Sequence, residues 1–178
     1  MTTSDRMRSG DTTQDTQDTP DTSDRSANSG QAGQMPASMK LVKLSDAGLT
    51  VTDPAEDIRG RKVMDQNGEE VGDVDDLLMD EHERKVRFMR VATGGFLGLG
   101  ETKFLLPVDA IARMDQDNVF IDQSRERIAG GPQYDPDLTY DMQYYGGLYG
   151  HYGYAPYWGA GYMYPGYPYY GAVRPRVW

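Results

Sequence analysis

The chain has 178 residues, a formal net charge of -10 and no cysteine. The lack of cysteine excludes disulfides, thiolate catalysis and cysteine-bound metal sites. The acidic balance argues against nucleic-acid binding by the folded part, because an acidic surface does not attract phosphate backbones. We find neither a secretory signal pattern nor a long apolar run, so we expect a cytoplasmic protein without a membrane span.

Composition divides the chain into parts of different chemistry. The first part consists mainly of Thr, Ser, Asp, Gln and Gly, which bury too little apolar surface to offset the entropy of ordering. All four Phe lie between Leu41 and Leu138, whereas 11 of the 13 Tyr lie at or beyond Tyr144. The predicted division is a disordered polar leader over 1–38, a lead-in arm over 39–53, a folded domain over 54–130 and a disordered Tyr/Gly/Pro-rich low-complexity tail over 131–178.

The folded part opens with signals for a short helical turn and a hairpin. Asp53 suits an N-cap and Pro54 the first helical position, which predicts a short helical turn over residues 54–59. A strand over residues 61–64 follows, and the Asn67-Gly68 pair predicts a tight turn, because both residues tolerate positive φ. The sequence therefore predicts a first hairpin directly after the helical turn.

The second arm of that hairpin, residues 70–80, is ambiguous. Its apolar residues, among them Val71 and Val74, fall at helical spacing, but Gly68 and Gly72 disfavour a helix. We predict a bulged strand here.

The remaining elements are short. Residues 86–92 predict a strand whose shifting apolar phase indicates a bulge or burial on both faces. A strand over residues 103–106 ends at Pro107, and a small hairpin over residues 111–121 precedes a short helix. With about five to six short strands and glycine-rich turns, we predict an all-β fold, a small β-barrel with flanking helical turns.

Several motifs in this order resemble the PRC-barrel domain, which the reaction-centre H subunit and the ribosome maturation factor family share. The motifs are Arg59-Gly60, the hairpin of residues 67–74, residues 76–80, the glycine loop of residues 95–100 and Leu106-Pro107-Val108. The resemblance implies a β-barrel that docks onto other proteins and no shared catalytic activity. The anchoring helix of the H subunit and the N-terminal domain of the ribosome factor are not seen, so the chain looks like a stand-alone bacterial PRC-barrel protein.

The glycine loop and an acidic run supply the candidate docking residues. The loop lacks the Lys-Ser/Thr of a phosphate loop, so its glycines predict a sharp turn. Its large apolar residues predict either core packing or a docking surface. The nearby acids predict a charged rim, without EF-hand spacing for a metal. The candidate docking residues are Phe96, Leu97, Leu99, Asp75, Asp76, Asp80 and Glu81.

We expect a non-enzymatic docking or adaptor protein, because no nucleophile, base or cofactor motif stands out; we expect no catalytic residues, metal or cofactor. The partner is a protein that the sequence does not identify. A small core favours a homodimer. The tyrosines of the tail favour self-association, although two alternatives stay open: an RNA-associated or ribosome-assembly factor, with bases stacked on the tail, and a membrane-associated reaction-centre-like assembly subunit.

Overall fold

The computed structural model describes residues 40–94 and 101–165, together with the backbone of Val173–Pro175. These residues form a mostly β structure with two short helices. The strands are β1 (Leu41–Lys43), β2 (Leu49–Val51), β3 (Lys62–Met64), β4 (Glu70–Asp80), β5 (Lys85–Thr93), β6 (Thr102–Pro107), β7 (Ile111–Met114), β8 (Asn118–Ile121) and β9 (Val173–Pro175). The helices are α1 (Arg125–Ala129) and α2 (Met142–Tyr152), with 3₁₀ turns at Pro54–Glu56 and Val108–Ala110.

The strands form one mixed sheet and one separate pair. The order in the large sheet is β6-β5-β4-β3-β8-β7, and β1 also pairs with β4. All pairs in this sheet are antiparallel except β3 with β8, which run parallel. Strand β2 pairs with β9 in a separate antiparallel ladder. Most of the described strands therefore belong to the large sheet.

The predicted closed barrel is wrong for the part of the chain that the structure describes, because the end strands β6 and β7 of the sheet do not pair with each other. Another segment takes the outer edge of β6 instead. Phe104 forms a bridge with Gln133, and the Tyr134 N–H donates to the Lys103 carbonyl at 2.7 Å. The backbone groups of β6 that would pair with β7 in a closed barrel are thus bonded to residues that follow α1.

Strand β4 confirms the prediction of a bulged strand for the ambiguous residues 70–80. Its register against β5 shifts between Val74 and Asp76 and again between Leu78 and Met79. Gly72 makes the closest approach, since a Cβ atom there would lie 2.2 Å from the Ala92 carbonyl oxygen. The glycine therefore permits a spacing of β4 and β5 that no side chain would allow.

The expectation of a disordered tail is wrong for residues 131–165, which we call the C-terminal segment. The Asp141 side chain accepts a hydrogen bond from the Tyr144 N–H at 3.0 Å and caps α2, which ends at Gly153 with φ of 83°. Phe88 on β5 lies 5.5 Å from the Tyr145 ring and 5.3 Å from the Tyr149 ring, centroid to centroid. The tyrosine-rich sequence predicts a flexible tail, but its aromatic rings bury apolar surface against the sheet.

This packing explains why β5 is buried on both faces, one of the two alternatives that its shifting apolar phase left open. One buried apolar cluster joins the strands to both helices, with Val63, Phe104, Ile128, Leu148 and Tyr149 all fully inaccessible. The core thus includes residues on both sides of α1.

Candidate protein-docking surfaces

The apolar candidate residues Phe96, Leu97 and Leu99 lie outside the described residues, within 95–100. The structure therefore leaves their proposed docking role as a prediction. The four acidic candidates lie within the described residues.

Asp76 and Asp80 are buried, with 1% and 5% of their surface exposed, so the prediction of an exposed rim is wrong for both. Asp76 accepts hydrogen bonds from the Leu77 N–H at 2.8 Å and from the Ser45 hydroxyl. Asp80 accepts from the Tyr157 hydroxyl at 2.6 Å. Both carboxylates therefore accept hydrogen bonds from within the domain, as buried carboxylates require.

Asp75 and Glu81 lie at the surface, and each of them pairs with different residues. Asp75 contacts Arg90 Nε at 2.8 Å and Lys103 Nζ at 3.1 Å. Burial alone would raise the pKa of Asp75, but the Lys103 hydrogen bond and the Arg90 charge outweigh it and lower that pKa. Glu81 pairs with Lys40 at 3.1 Å on the exposed surface.

Glu81 borders an open groove beside β1. Leu41, Val42 and Leu78 line the groove from the sheet. Tyr134, Leu138 and Tyr140 line it from the C-terminal segment. We refer to this feature, formed by these six residues, as the β1 groove.

Stacked tyrosines build the second wall of the β1 groove. The Tyr140 ring lies 3.9 Å from the Tyr144 ring and 5.3 Å from the Tyr134 ring. The Asp135 N–H donates to the Tyr140 hydroxyl at 2.8 Å, which fixes the turn that carries Leu138. Leu138 is 59% exposed beside these rings. The wall thus presents apolar surface on a framework that is already ordered.

Ion pairs lie along the rim of the β1 groove. Lys40 pairs with Glu81, and Lys43 pairs with Asp46 at 2.8 Å. Such exposed pairs contribute little to stability, but a polar rim around an apolar floor is the usual arrangement of a protein interface. The groove therefore has the composition of a docking surface.

Strand β1 also offers main-chain groups to the β1 groove. The Leu44 N–H donates to the Leu77 carbonyl at 2.9 Å, and the Glu81 N–H donates to the Lys40 carbonyl at 3.0 Å. Bonded positions alternate along an antiparallel strand, so Leu41 directs its N–H and C=O away from β4. No described strand pairs with that edge of β1. An added strand would find partners there.

A second feature lies under residues 154–165, which we call the strap. Arg87 on β5 is 2% exposed, and its guanidinium carbon lies 3.9 Å from the centre of the Tyr157 ring. Its Nη2 atom pairs with Glu83. Burial raises the pKa of Tyr157, and the hydrogen bond to Asp80 raises it further. The strap therefore covers a buried cation with neutral phenol rings.

Sequence reasoning missed the tyrosine wall and Arg87. Helix α2, which carries Tyr144 of the wall, has a signal that could have found it, since Tyr145, Leu148, Tyr149 and Tyr152 are spaced as one helical face after the capping residue Asp141. Arg87 carries no such signal, because an arginine between apolar strand residues is typically solvated.

No group of three or more His, Cys, Asp or Glu side chains in the described part of the chain could hold a metal ion. No described helix combines the length and the apolar character needed to cross a bilayer.

Comparison with known proteins gives one positive finding. The family model of the PRC-barrel domain matches residues 52–128, which cover β3 to β8 and nearly all of α1. No curated protein matches the chain. Strand β1 and helix α2 lie outside the matched span, so the β1 groove and the Arg87 contact both combine matched residues with flanking ones.

Proposed function

The chain contains a PRC-barrel domain at residues 52–128, and from this premise we propose that it is a protein-docking module that binds a partner protein in the β1 groove. A docking role fits a family whose shared property is interaction and not a common reaction. The segments that flank the matched span supply the specific surface.

The position of Leu138 is the observation that carries this proposal. Leu138 and Met163 are the large apolar side chains that lie exposed in the described part of the chain, at 59% and 84%. Leu138 lines the β1 groove beside the stacked tyrosines, whereas Met163 does not line it. Burying the exposed part of a leucine contributes roughly 1–2 kcal/mol to binding. A partner side chain placed between Leu138 and Leu41 would gain that energy.

The buried tyrosines argue against the RNA-associated alternative. Base stacking on the tail requires accessible ring faces. Tyr145, Tyr149 and Tyr152 are instead buried against the sheet, and Tyr157 lies on Arg87. Protein docking is therefore the better supported function. The loop residues Phe96, Leu97 and Leu99 stay proposed contacts of the same partner.

Site-specific photocrosslinking of the full chain in its host cells tests the proposal. A photoreactive residue at position 138 should give a discrete protein adduct, and one at position 163 should not. The same adduct at both positions, or none at position 138, would overturn docking in the β1 groove.

A substitution pair then measures the contribution of the groove. Leu138→Ser should weaken binding of the crosslinked partner by about tenfold, whereas Met163→Ser should leave it unchanged. Both side chains are exposed, so neither variant should lose stability. Equal affinities for the two variants would show that the partner binds elsewhere.

A further inference from the structure

The outer edge of β1 carries main-chain groups for which the described residues provide no partner. On its inner edge β1 pairs with β4, where the Leu44 N–H donates to the Leu77 carbonyl at 2.9 Å. Bonded positions alternate, so Leu41 and Lys43 direct their main-chain groups to the outer edge. The Lys43 carbonyl accepts from the Ala47 N–H at 3.1 Å. The Leu41 N–H, the Leu41 carbonyl and the Lys43 N–H are therefore left for a bound segment.

The residues that carry these groups line the β1 groove. All four residues 40–43 lie on one side of it, and residues of the turn from Tyr134 to Tyr140 lie on the other. The Tyr134 N–H is bonded to β6, so the groove separates the outer edge of β1 from the chain that borders β6. In an extended segment every second side chain points to the same face. Such a segment would bond β1 through its backbone and place one row of side chains against the apolar residues of the groove.

Acidic residues lie along the turn on the far side of the groove. Asp135, Asp137 and Asp141 alternate with or follow the lining residues of this turn, and all three are exposed. None of their carboxylates forms an ion pair with a described Lys or Arg. The charges on the rim beside β1, in contrast, form two pairs of opposite sign. The surroundings of the groove therefore carry an excess of negative charge, which attracts a basic partner.

The chain's own segments suit this groove less well than a foreign one. Residues 1–39 carry six Asp and three Arg, and a second copy brings a net charge of -10. Arg174, from the basic C-terminal part of the sequence, lies on β9, which already pairs with β2. Charge complementarity therefore favours a segment of another protein over a second copy of this chain.

From these observations we propose that the segment bound in the β1 groove is a basic, extended peptide of the partner, which adds to β1 as a further strand. This inference rests on the proposed docking function and names the kind of segment that docks. The backbone of the peptide bonds Leu41 and Lys43, and one of its apolar side chains lies between Leu41 and Leu138. Its Lys or Arg side chains lie near Asp137. In strand addition the main-chain bonds give affinity and the side chains give specificity.

Random peptides displayed on phage provide a probe for this inference. We would select them on the full chain and discard every peptide that binds the Leu138→Ser variant equally well. We expect the retained peptides to contain more Lys and Arg than Asp and Glu. Retained peptides without this excess, or no retained peptide at all, would overturn the proposal. A discrete adduct from the photoreactive residue at position 138 would then still support docking of a folded surface in the groove.

Two substitutions of Lys43 separate strand addition from other modes of binding. Lys43→Pro removes the outward N–H, whereas Lys43→Ala keeps it, and both variants lose the ion pair with Asp46. Edge strands accept proline where the N–H faces outward. For a synthetic copy of a retained peptide, we expect affinity to fall by about tenfold with Lys43→Pro and by less than about twofold with Lys43→Ala. Equal affinities of the two folded variants would overturn strand addition and leave docking in the groove intact.

Methylation of the peptide backbone gives a second readout that leaves the protein unaltered, should Lys43→Pro fail to fold. One backbone nitrogen of the synthetic peptide is methylated at a time, which removes one N–H donor in each variant. Because only alternate residues of an added strand bond β1, we expect binding to be lost at every second position. Equal losses at consecutive positions, or no loss at any position, would contradict strand addition.

Reversing one charge tests the preference for a basic peptide. Asp137→Lys should weaken binding of the synthetic peptide by about fivefold, and high salt should reduce this difference. Glu126→Lys is the matched control, because Glu126 is exposed on α1 and does not line the groove. Equal effects of the two reversals would contradict the role of the acidic turn. Self-association of the full chain without peptide, abolished by Lys43→Pro, would place a second copy on β1 and overturn the proposal.

Discussion

Substitution of Gly72 by alanine tests the close approach of β4 and β5. The new Cβ atom would lie 2.2 Å from the Ala92 carbonyl oxygen, 3.0 Å from the Ala92 carbonyl carbon and 3.1 Å from Thr93 Cα. All three atoms belong to the backbone, so no side-chain rotation relieves the overlap. The two strands must move apart by roughly 1 Å before the contact with the oxygen becomes tolerable.

The loss in free energy of unfolding follows from the pairing of β4 with β5 that this movement disturbs. Overpacking in a core typically costs about 1–3 kcal/mol, and each backbone hydrogen bond lost between the strands adds about 1 kcal/mol. We expect Gly72→Ala to lower the free energy of unfolding by about 3 kcal/mol. For a domain of ordinary stability, about 5–15 kcal/mol, that is a large fraction.

Urea unfolding of the full chain, followed by far-UV circular dichroism, measures this change. Gly147→Ala is the matched control, because Gly147 lies inside α2, and a Cβ atom there meets nothing within 4 Å. Alanine should stabilise that helix by about 0.5–1 kcal/mol. If Gly72→Ala unfolds at the same urea concentration as the unaltered chain, the proposed spacing of β4 and β5 is wrong.

Other substitutions probe the turn, the core and the groove. Asp65 accepts from the Asn67 and Glu69 N–H groups at 2.7 and 2.9 Å. Burial would raise the Asp65 pKa, but these hydrogen bonds outweigh it and lower that pKa. Its stabilisation is therefore complete above the ordinary Asp pKa and lost as pH falls through the lowered one, and Asp65→Asn should flatten this acid limb in chemical denaturation. Tyr149→Ala should cost about 3–5 kcal/mol in urea unfolding. Leu138→Ser should change it by less than about 0.5 kcal/mol.

The strand β4 could be predicted from the sequence, whereas in α2 the glycine content obscures the helical spacing of the apolar residues. For β4, Gly68 and Gly72 decide between helical and strand spacing by local backbone preference. In α2, Gly146, Gly147 and Gly150 lower the intrinsic helix propensity, and composition alone indicates a flexible segment. The helix forms because packing on Phe88 stabilises it, and such tertiary packing usually outweighs propensity.

The acidic candidate residues show the same limit of prediction from the sequence. Asp75 and Glu81 reach the surface as the pattern predicts, but Asp76 and Asp80 are buried. Their partners Ser45 and Tyr157 lie 31 and 77 residues away in the sequence. The local pattern of charges does not reveal contacts between residues that are far apart in the sequence. It therefore predicts the same role for all four acids.

Both proposals depend on the C-terminal segment being part of the fold, which makes its tyrosines the most direct test. Burial is the largest cause that raises the pKa of nine of them above the ordinary value of 10.0; the rise is smaller for Tyr134 and large for the other eight. These eight residues are Tyr144, Tyr145, Tyr149, Tyr152, Tyr154, Tyr157, Tyr162 and Tyr164. Their stabilising effect is complete below the ordinary pKa and is lost as pH rises through the raised values.

An alkaline titration of the full chain, followed at 295 nm for phenolate and in the far-UV for secondary structure, measures this directly. We expect eight of the 13 tyrosines to stay protonated well above pH 10 and to ionise together as the far-UV signal is lost. Gradual ionisation of all 13 near pH 10, with the far-UV signal unchanged, would contradict a folded C-terminal segment.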